Sequence, residues 1–159
     1  MVSLKDENGF EVRIKKEEVY CVTEDYKYYV NSFEFFVNGK NLFDGILEKD
    51  KIYANVDPLC WIKDEILRSI NEQKHVNIDL IEPDVEIEIM PASYYHDRVW
   101  KGCDSKCEED NEFAIVFHID SRNFTEDSSY LGCNISVTLF VSKEQLLKFA
   151  DDIEKEYEE

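Results

Sequence analysis

Apolar residues recur with a period of two along most of this chain and with a helical period in two places, and the switch between them is sharpest in the stretch Cys133 to Tyr157. Ile135, Val137, Leu139 and Val141 alternate with Asn134, Ser136, Thr138 and Phe140, the pattern of a strand with one buried face. Ser142 and Gln145 then form a capping box, in which the hydroxyl accepts from a free backbone N–H while the amide reaches back to the cap. Leu146, Phe149 or Ala150, Ile153 and Tyr157 follow at helical spacing and leave Lys148, Asp151, Asp152, Glu154 and Lys155 toward water. A strand running straight into an amphipathic helix is expected to fold that helix back across a sheet.

The same reading applies upstream. Phe10, Val12 and Ile14 alternate with Glu11, Arg13 and Lys15 as a first strand, with Glu17 to Val22 as its partner. Tyr28 to Val37 is rich in aromatic and β-branched residues, and Asn38-Gly39 supplies a tight hairpin turn before Lys40 to Phe43 returns. Asp44-Gly45 and the charged run Glu48 to Lys51 mark another turn before Ile52 to Val56. Asp57-Pro58 opens a helix, because aspartate caps free N–H groups and proline loses nothing at the first helical position. Its stripe is Leu59, Ile62, Ile66, Leu67 and Ile70, and it ends near Gln73. His75 to Leu80 alternates again, Glu82-Pro83-Asp84 makes a corner, and Val85, Ile87 and Ile89 define a strand whose other face carries Glu86, Glu88 and Met90. Tyr94 to Glu112 reads as a long polar loop, Phe113 to Ile119 as a central strand buried on both faces, and Asp120 to Gly132 as a second loop.

These elements predict an α+β fold: an antiparallel sheet of about six to eight strands, with Leu59 to Glu72 and Lys143 to Tyr157 packed on one face. The expected core is Phe33, Phe35, Leu59, Ile62, Ile66, Val85, Ile87, Ile115, Phe117, Val137, Leu139, Leu146, Phe149 and Ile153. With 159 residues, 43% hydrophobic and 13% aromatic, residues 1–159 are expected to form a single globular domain with one core. The sequence carries no internal repeat, low-complexity segment or interdomain linker.

Charge changes the picture. Thirty-six acidic against 18 basic residues give a formal charge of −18, which opposes contact with phosphate backbones or anionic membranes and favours basic partners. Solubility alone is the competing explanation of that charge. The first residues, MVSLKDENGFEV, hold charges and no apolar run, so neither a signal peptide nor a membrane anchor is expected, and the cytosol is the expected compartment. Five cysteines, Cys21, Cys60, Cys103, Cys107 and Cys133, suit reduced thiols better than a disulfide framework. Cys60 and Cys133 sit in apolar patterns as packing residues.

Candidate chemistry is sparse. Cys103 and Cys107 with His96 and His118 offer four zinc-ligating side chains, but the spacing does not match the common ligand pairs, and two neighbouring loop thiols are the better reading. Glu108 and Glu109 directly after Cys107 disfavour a thiolate there, which argues against a cysteine nucleophile. Glu86 and Glu88 share one side of a strand. Acid and base work would need burial to separate them, so a solvated or partner-facing pair is expected instead. Five glycines leave little room for a phosphate loop. No enzymatic activity, metal or cofactor is therefore expected.

From about Tyr28 to Tyr157 the chain resembles the WapI-type immunity proteins of bacterial polymorphic toxin systems. The resemblance lies in the aromatic strand after Asn31, the Asp57-Pro58-Leu59 helix opening, Glu82-Pro83 leading into Val85 to Met90, and the closing strand, the Ser142-Lys143-Glu144 junction and helix. Ser32-Phe33 stands where the pattern has tryptophan, the Tyr94 to Glu112 insertion is long, and no proline follows the last helix. The resemblance implies a cytosolic protein that binds and neutralises a cognate toxin domain, often a nuclease. A nuclease that attracts polyphosphate tends to be basic, and a chain at −18 would be steered to it. The expected anchors are Tyr94, Tyr95 and Trp100, with Glu108, Glu109 and Asp110 as steering charges and Asp151, Asp152 and Glu154 as a second acidic surface. A loop pinned by its own aromatics onto the domain, and a frayed solvated helix end, are the competing readings of the same residues. A small-molecule or structural binding module without a toxin partner is the alternative function.

Overall fold

The computed structural model describes residues 1–21, 27–46, 52–56, 60–78, 80, 85–99, 111–120 and 134–158. Among these the fold is α+β, with nine strands in two antiparallel sheets and three helices. The first sheet contains β1 (Val2–Lys5), β2 (Phe10–Cys21), β3 (Lys27–Val37), β4 (Lys40–Asn41) and β5 (Ile52–Val56). It runs in the order β1-β2-β3, and β3 carries both β4 and β5 as partners, at Phe36–Val37 and Tyr29–Phe33 respectively. Helix α1 (Cys60–Glu72) follows. The second sheet is a plain meander of β6 (Val76–Ile78), β7 (Val85–Pro91), β8 (Glu112–Asp120) and β9 (Asn134–Ser142), with α2 (Ala92–Val99) inserted after β7 and α3 (Lys143–Glu158) after β9.

The single sheet expected from the sequence is thus two. Alternation reports which face of a strand is buried, and it is silent on which strands share a ladder. Phe10 to Ile14 and Glu17 onward are likewise not two paired strands. They are one strand, β2, with a register shift between Lys16 and Glu18, and its partners are β1 and β3. The four-residue β1, with Val2 and Leu4 buried, lies at the edge of that sheet.

The apolar rows lock together across the registers. Leu4, Val12 and Phe35 form one row of the first sheet, and Val2, Ile14, Phe33 and Ile52 the next. In the second sheet the matching rows are Val76, Ile89, Ile115, Leu139 and Ile78, Ile87, Phe117, Val137. All of these side chains are buried in one cluster that also takes Ile62, Ile66 and Ile70 from α1 and Leu146, Phe149, Ala150 and Ile153 from α3. The two sheets meet where Phe35 and Phe117 pack edge to face, 5.6 Å between ring centres. Helices α1 and α3 pack against each other, α1 also against β6 and β7, and α3 also against β1, β8 and β9. Every expected core residue within the described side chains is buried; Leu59 lies outside the described residues. Ile135, read as facing the core in its strand, is 41% exposed.

Local signals hold where they rest on hydrogen-bond geometry. Ser142 Oγ accepts from the Gln145 N–H at 3.2 Å, and Gln145 Oε1 accepts from the Ser142 N–H at 2.8 Å. The same Gln145 amide donates to the Lys5 carbonyl at 2.9 Å, tying the start of α3 to β1. Asn38 and Gly39 both take positive φ, 51° and 79°, between the paired residues Val37 and Lys40, the turn that matches strand twist. Helix α1 ends as expected at Gln73, in left-handed conformation, with the Lys74 N–H donating to the Ser69 carbonyl.

Candidate functional site on the outer face of the second sheet

The face of the second sheet that turns away from the core carries three cross-strand rows: Asn77, Glu88, Val116 and Thr138; Met90, Ala114 and Phe140; and Glu86, His118 and Ser136. An antiparallel meander usually leaves such a face in water. Here Met90, Ala114 and Val116 are buried instead, because the chain turns at Pro91 and lays α2 across them. The segment read from sequence as the start of a polar loop is therefore helical over Ala92–Val99. Eight residues with a single inward aromatic give no periodicity to detect.

Tyr95 is the inward residue. It packs on Met90, Ala114 and Val116, sits edge-on to Phe140 at 5.3 Å, and its hydroxyl lies 3.4 Å from Thr138 Oγ1. His96 stacks flat on Phe140, 5.5 Å between centres. Tyr94 and Arg98, four residues apart and so on one side of the helix, reach the opposite end of the face. The Tyr94 ring stacks on His75 at 5.6 Å while the residue stays 48% exposed. The Arg98 guanidinium donates to Glu88 Oε2 at 2.8 Å.

Glu88 is the hub. Its side chain is 17% exposed, whereas Glu86, one row away, is open to water. The pair read as solvated or partner-facing is thus split: α2 and the histidines screen Glu88 and leave Glu86 open. His75 Nε2 lies 3.5 Å from one carboxylate oxygen and His118 Nε2 3.3 Å from the other, inside ion-pair range. Neither contact is aligned as a hydrogen bond, and both Nε2 atoms are shielded from solvent without a hydrogen-bond partner. The other His118 nitrogen, Nδ1, lies 2.7 Å from Ser136 Oγ. Ser136, His118 and Glu88 are the residue types of an acyl-transfer triad. The acid is misaligned with the ring N–H, however, and the serine lies mid-strand on an open sheet face, so the geometry is that of a polar platform. An open groove of about 410 Å³ runs beside it, lined by Glu65, Arg68, His75, Val76 and Asn77.

All three histidines of the chain lie on this face, at sequence positions too far apart for any motif to link them. Strand parity, which sets His118 on the same side of β8 as Val116 and Glu88 on the same side of β7 as Glu86, signals that part of the cluster; His75 and His96 carry no such signal. Among the described residues no group of three or more His, Cys, Asp or Glu is arranged to hold a metal ion, and no helix is long and apolar enough to cross a membrane. His96 and His118, considered as zinc ligands, have the ring and hydroxyl neighbours given above; Cys103 and Cys107 lie outside the described residues.

Of the expected partner-binding residues, Tyr94 is exposed, Tyr95 is packed onto the sheet, and Trp100, Glu108, Glu109 and Asp110 lie outside the described residues. The second acidic surface is partly engaged within the chain. Glu154 accepts from Lys63 of α1 at 2.5 Å, a hydrogen bond that holds the Lys63 ammonium pKa above its ordinary value, and Asp152 pairs with Lys148. Asp151 is exposed.

At the far end of α3, Tyr157 seals the core of the first sheet. Its hydroxyl donates to Asn31 Oδ1, its ring meets Tyr29 edge-on at 5.3 Å, and the Lys16 ammonium lies 5.5 Å above it. Burial pushes this phenol far above its ordinary pKa, with Glu156 and Tyr29 adding to the effect.

No family model matches the chain, and no curated protein matches it. Among solved structures, that of the plant transcriptional regulator PBF-2 is similar over 96% of this chain and 77% of that one, at 9% identity and a TM-score of 0.42. A likeness at that score is too weak to carry function across.

Proposed function

We propose that this chain is a protein-binding module of the immunity type, which binds and neutralises a basic, nuclease-type toxin domain through charge complementarity. The observation that carries the reading is the charge. If every lysine and arginine took one carboxylate, 18 carboxylates would still have no basic partner. Such an excess repels itself in the folded chain and is relieved by a cationic surface, which it also attracts from a distance. The resemblance to WapI-type immunity proteins supports the same class. The outer face of the second sheet supplies the contact: Tyr94 stands exposed on a stacked histidine, with the carboxylates of Glu86 and Asp97 open nearby on β7 and α2. An aromatic held rigid from behind loses little entropy on binding and serves as an anchor.

Co-expression tests the class. If a toxin gene lies beside this one, cells producing that toxin are expected to survive when the chain is present; absence of such a gene, or equal death with and without the chain, contradicts the reading. A second reading, small-molecule binding, is favoured by the two shielded and unpartnered imidazole nitrogens beside the open groove. It predicts a thermal stabilisation by a small ligand that is lost in His75→Ala, measured by a melting-temperature screen.

A further inference from the structure

Among the described residues, strand β9 is a sheet edge without the usual protection. Among the described residues its one ladder partner is β8, and the register of that pair runs unbroken from Glu112 opposite Ser142 to Asp120 opposite Asn134. The other outer strands are short: β1 has four residues, β4 two, β5 five and β6 three. Strand β9 has nine, NISVTLFVS, with no charge, no proline, no glycine and no bulge. Natural sheets blunt long edges with these devices, because a row of free N–H and C=O groups is a template for another strand. In a chain with 34% charged residues, a bare nine-residue edge needs a reason. Ile135, on the core-facing side of this strand, is 41% exposed, so an apolar position at the edge is left open. Carboxylates stand at one end of the strand: Glu112 is exposed opposite Ser142 and Glu144 is exposed just beyond it, with Lys143 between.

We propose that β9 is a strand-addition site, which captures an extended segment of a basic partner protein as a fifth strand of the second sheet, with lysine or arginine at the end of the segment beside Ser142. Main-chain hydrogen bonds along β9 supply the affinity, and the flanking carboxylates select against acidic segments. Pairing of β9 with a second copy is disfavoured by bringing together two chains of charge −18. The proposal rests on the reading of a basic protein partner and adds where and how that partner is held.

Two proline variants and two peptides test it. Along an antiparallel edge, successive residues point their N–H toward and away from the neighbour in turn. Of Val137→Pro and Thr138→Pro, one therefore removes a ladder bond and loses stability, while the other removes a free edge donor and keeps the fold; thermal melts identify which. The probes are a synthetic peptide alternating lysine with valine and threonine, and the same peptide with glutamate for lysine. The lysine peptide is expected to slow hydrogen exchange at the β9 amides that point away from β8, and to bind the folded proline variant at least about tenfold more weakly. The glutamate peptide is expected not to bind. Binding of the lysine peptide with β9 exchange unchanged overturns strand addition and leaves the basic-partner reading standing. Equal binding of both peptides, protected at β9, overturns the cationic selection. Concentration-dependent dimerisation abolished by the proline assigns the edge to a second copy and overturns the proposal.

Discussion

The two sheets turn very different outer faces to their surroundings. On the first, the cations pair along their own strand: Arg13 reaches Glu11 at 2.7 Å and Lys15 reaches Glu17 at 2.9 Å, with Arg13 also lying over Phe36 at 4.0 Å, while Ser32 of β3 donates across to Glu17 at 2.7 Å. On the second, the charged and polar cluster draws on five separate places: His75 after α1, Glu88 of β7, Arg98 of α2, His118 of β8 and Ser136 of β9. Pairs within a strand form on almost any solvated sheet and contribute little. A shielded cluster assembled from distant segments has to be held by the fold, and two of its imidazole nitrogens reach Glu88 at ion-pair range without an aligned hydrogen bond, an arrangement less favourable than full hydrogen bonding. The first face is ordinary surface; the second is where the molecule tolerates a cost, and that is where binding is expected.

Breaking the cover of the second face is the severest test of that contrast. Tyr95→Ala is expected to lower the unfolding free energy by about 2–4 kcal/mol in urea titrations, because it opens the Met90, Ala114 and Val116 patch. Phe36→Ala on the first sheet removes an aromatic of comparable size from a solvated face and should cost less than half as much; equal losses would show that α2 covers nothing special.

Tyr157→Phe comes next, at about 1–3 kcal/mol, since it leaves the fully buried Asn31 carbonyl oxygen without its donor. Its pH dependence has a definite sign. The folded phenol is held protonated well above the ordinary value while the unfolded one ionises near pH 10. Its contribution is therefore intact below about pH 10 and declines above it, by about 1.4 kcal/mol per pH unit. Urea midpoints measured across pH 9 to 11 (about the ordinary phenol range) should fall less steeply for the phenylalanine variant.

Smallest is the comparison of the two hubs. Glu88→Gln removes the acceptor charge of Arg98 in a shielded site and is expected to cost about 1–2 kcal/mol. Glu11→Gln, on the open face, should change stability by less than about 1 kcal/mol and lose even that in high salt. If the two substitutions prove equivalent, the second face is surface like the first.

The elements of this fold were legible wherever one strand or helix makes its own case. The capping box at Ser142 and Gln145, the Asn38-Gly39 turn, the buried stripe of α1 and the doubly buried β8 need only local sequence. What was illegible depends on pairing between elements. The bulge at Glu17 made one strand look like two, and the division of the strands between two sheets is written in no single segment. The site suffers most from this, because Glu88 looks solvated until α2 and two histidines from other elements are placed around it. Tyr94 and Tyr95 were singled out together, yet adjacent residues on a helix diverge: one faces water and the other the sheet.

The most direct test of the central claim is the association rate of this chain with a purified basic, nuclease-type toxin domain, taken from the neighbouring gene if one is encoded there, followed by stopped flow from low to physiological salt. The charge-steered account predicts a tight complex whose on-rate falls by about tenfold or more over that range. An on-rate indifferent to salt, or no complex at any salt concentration, would contradict it.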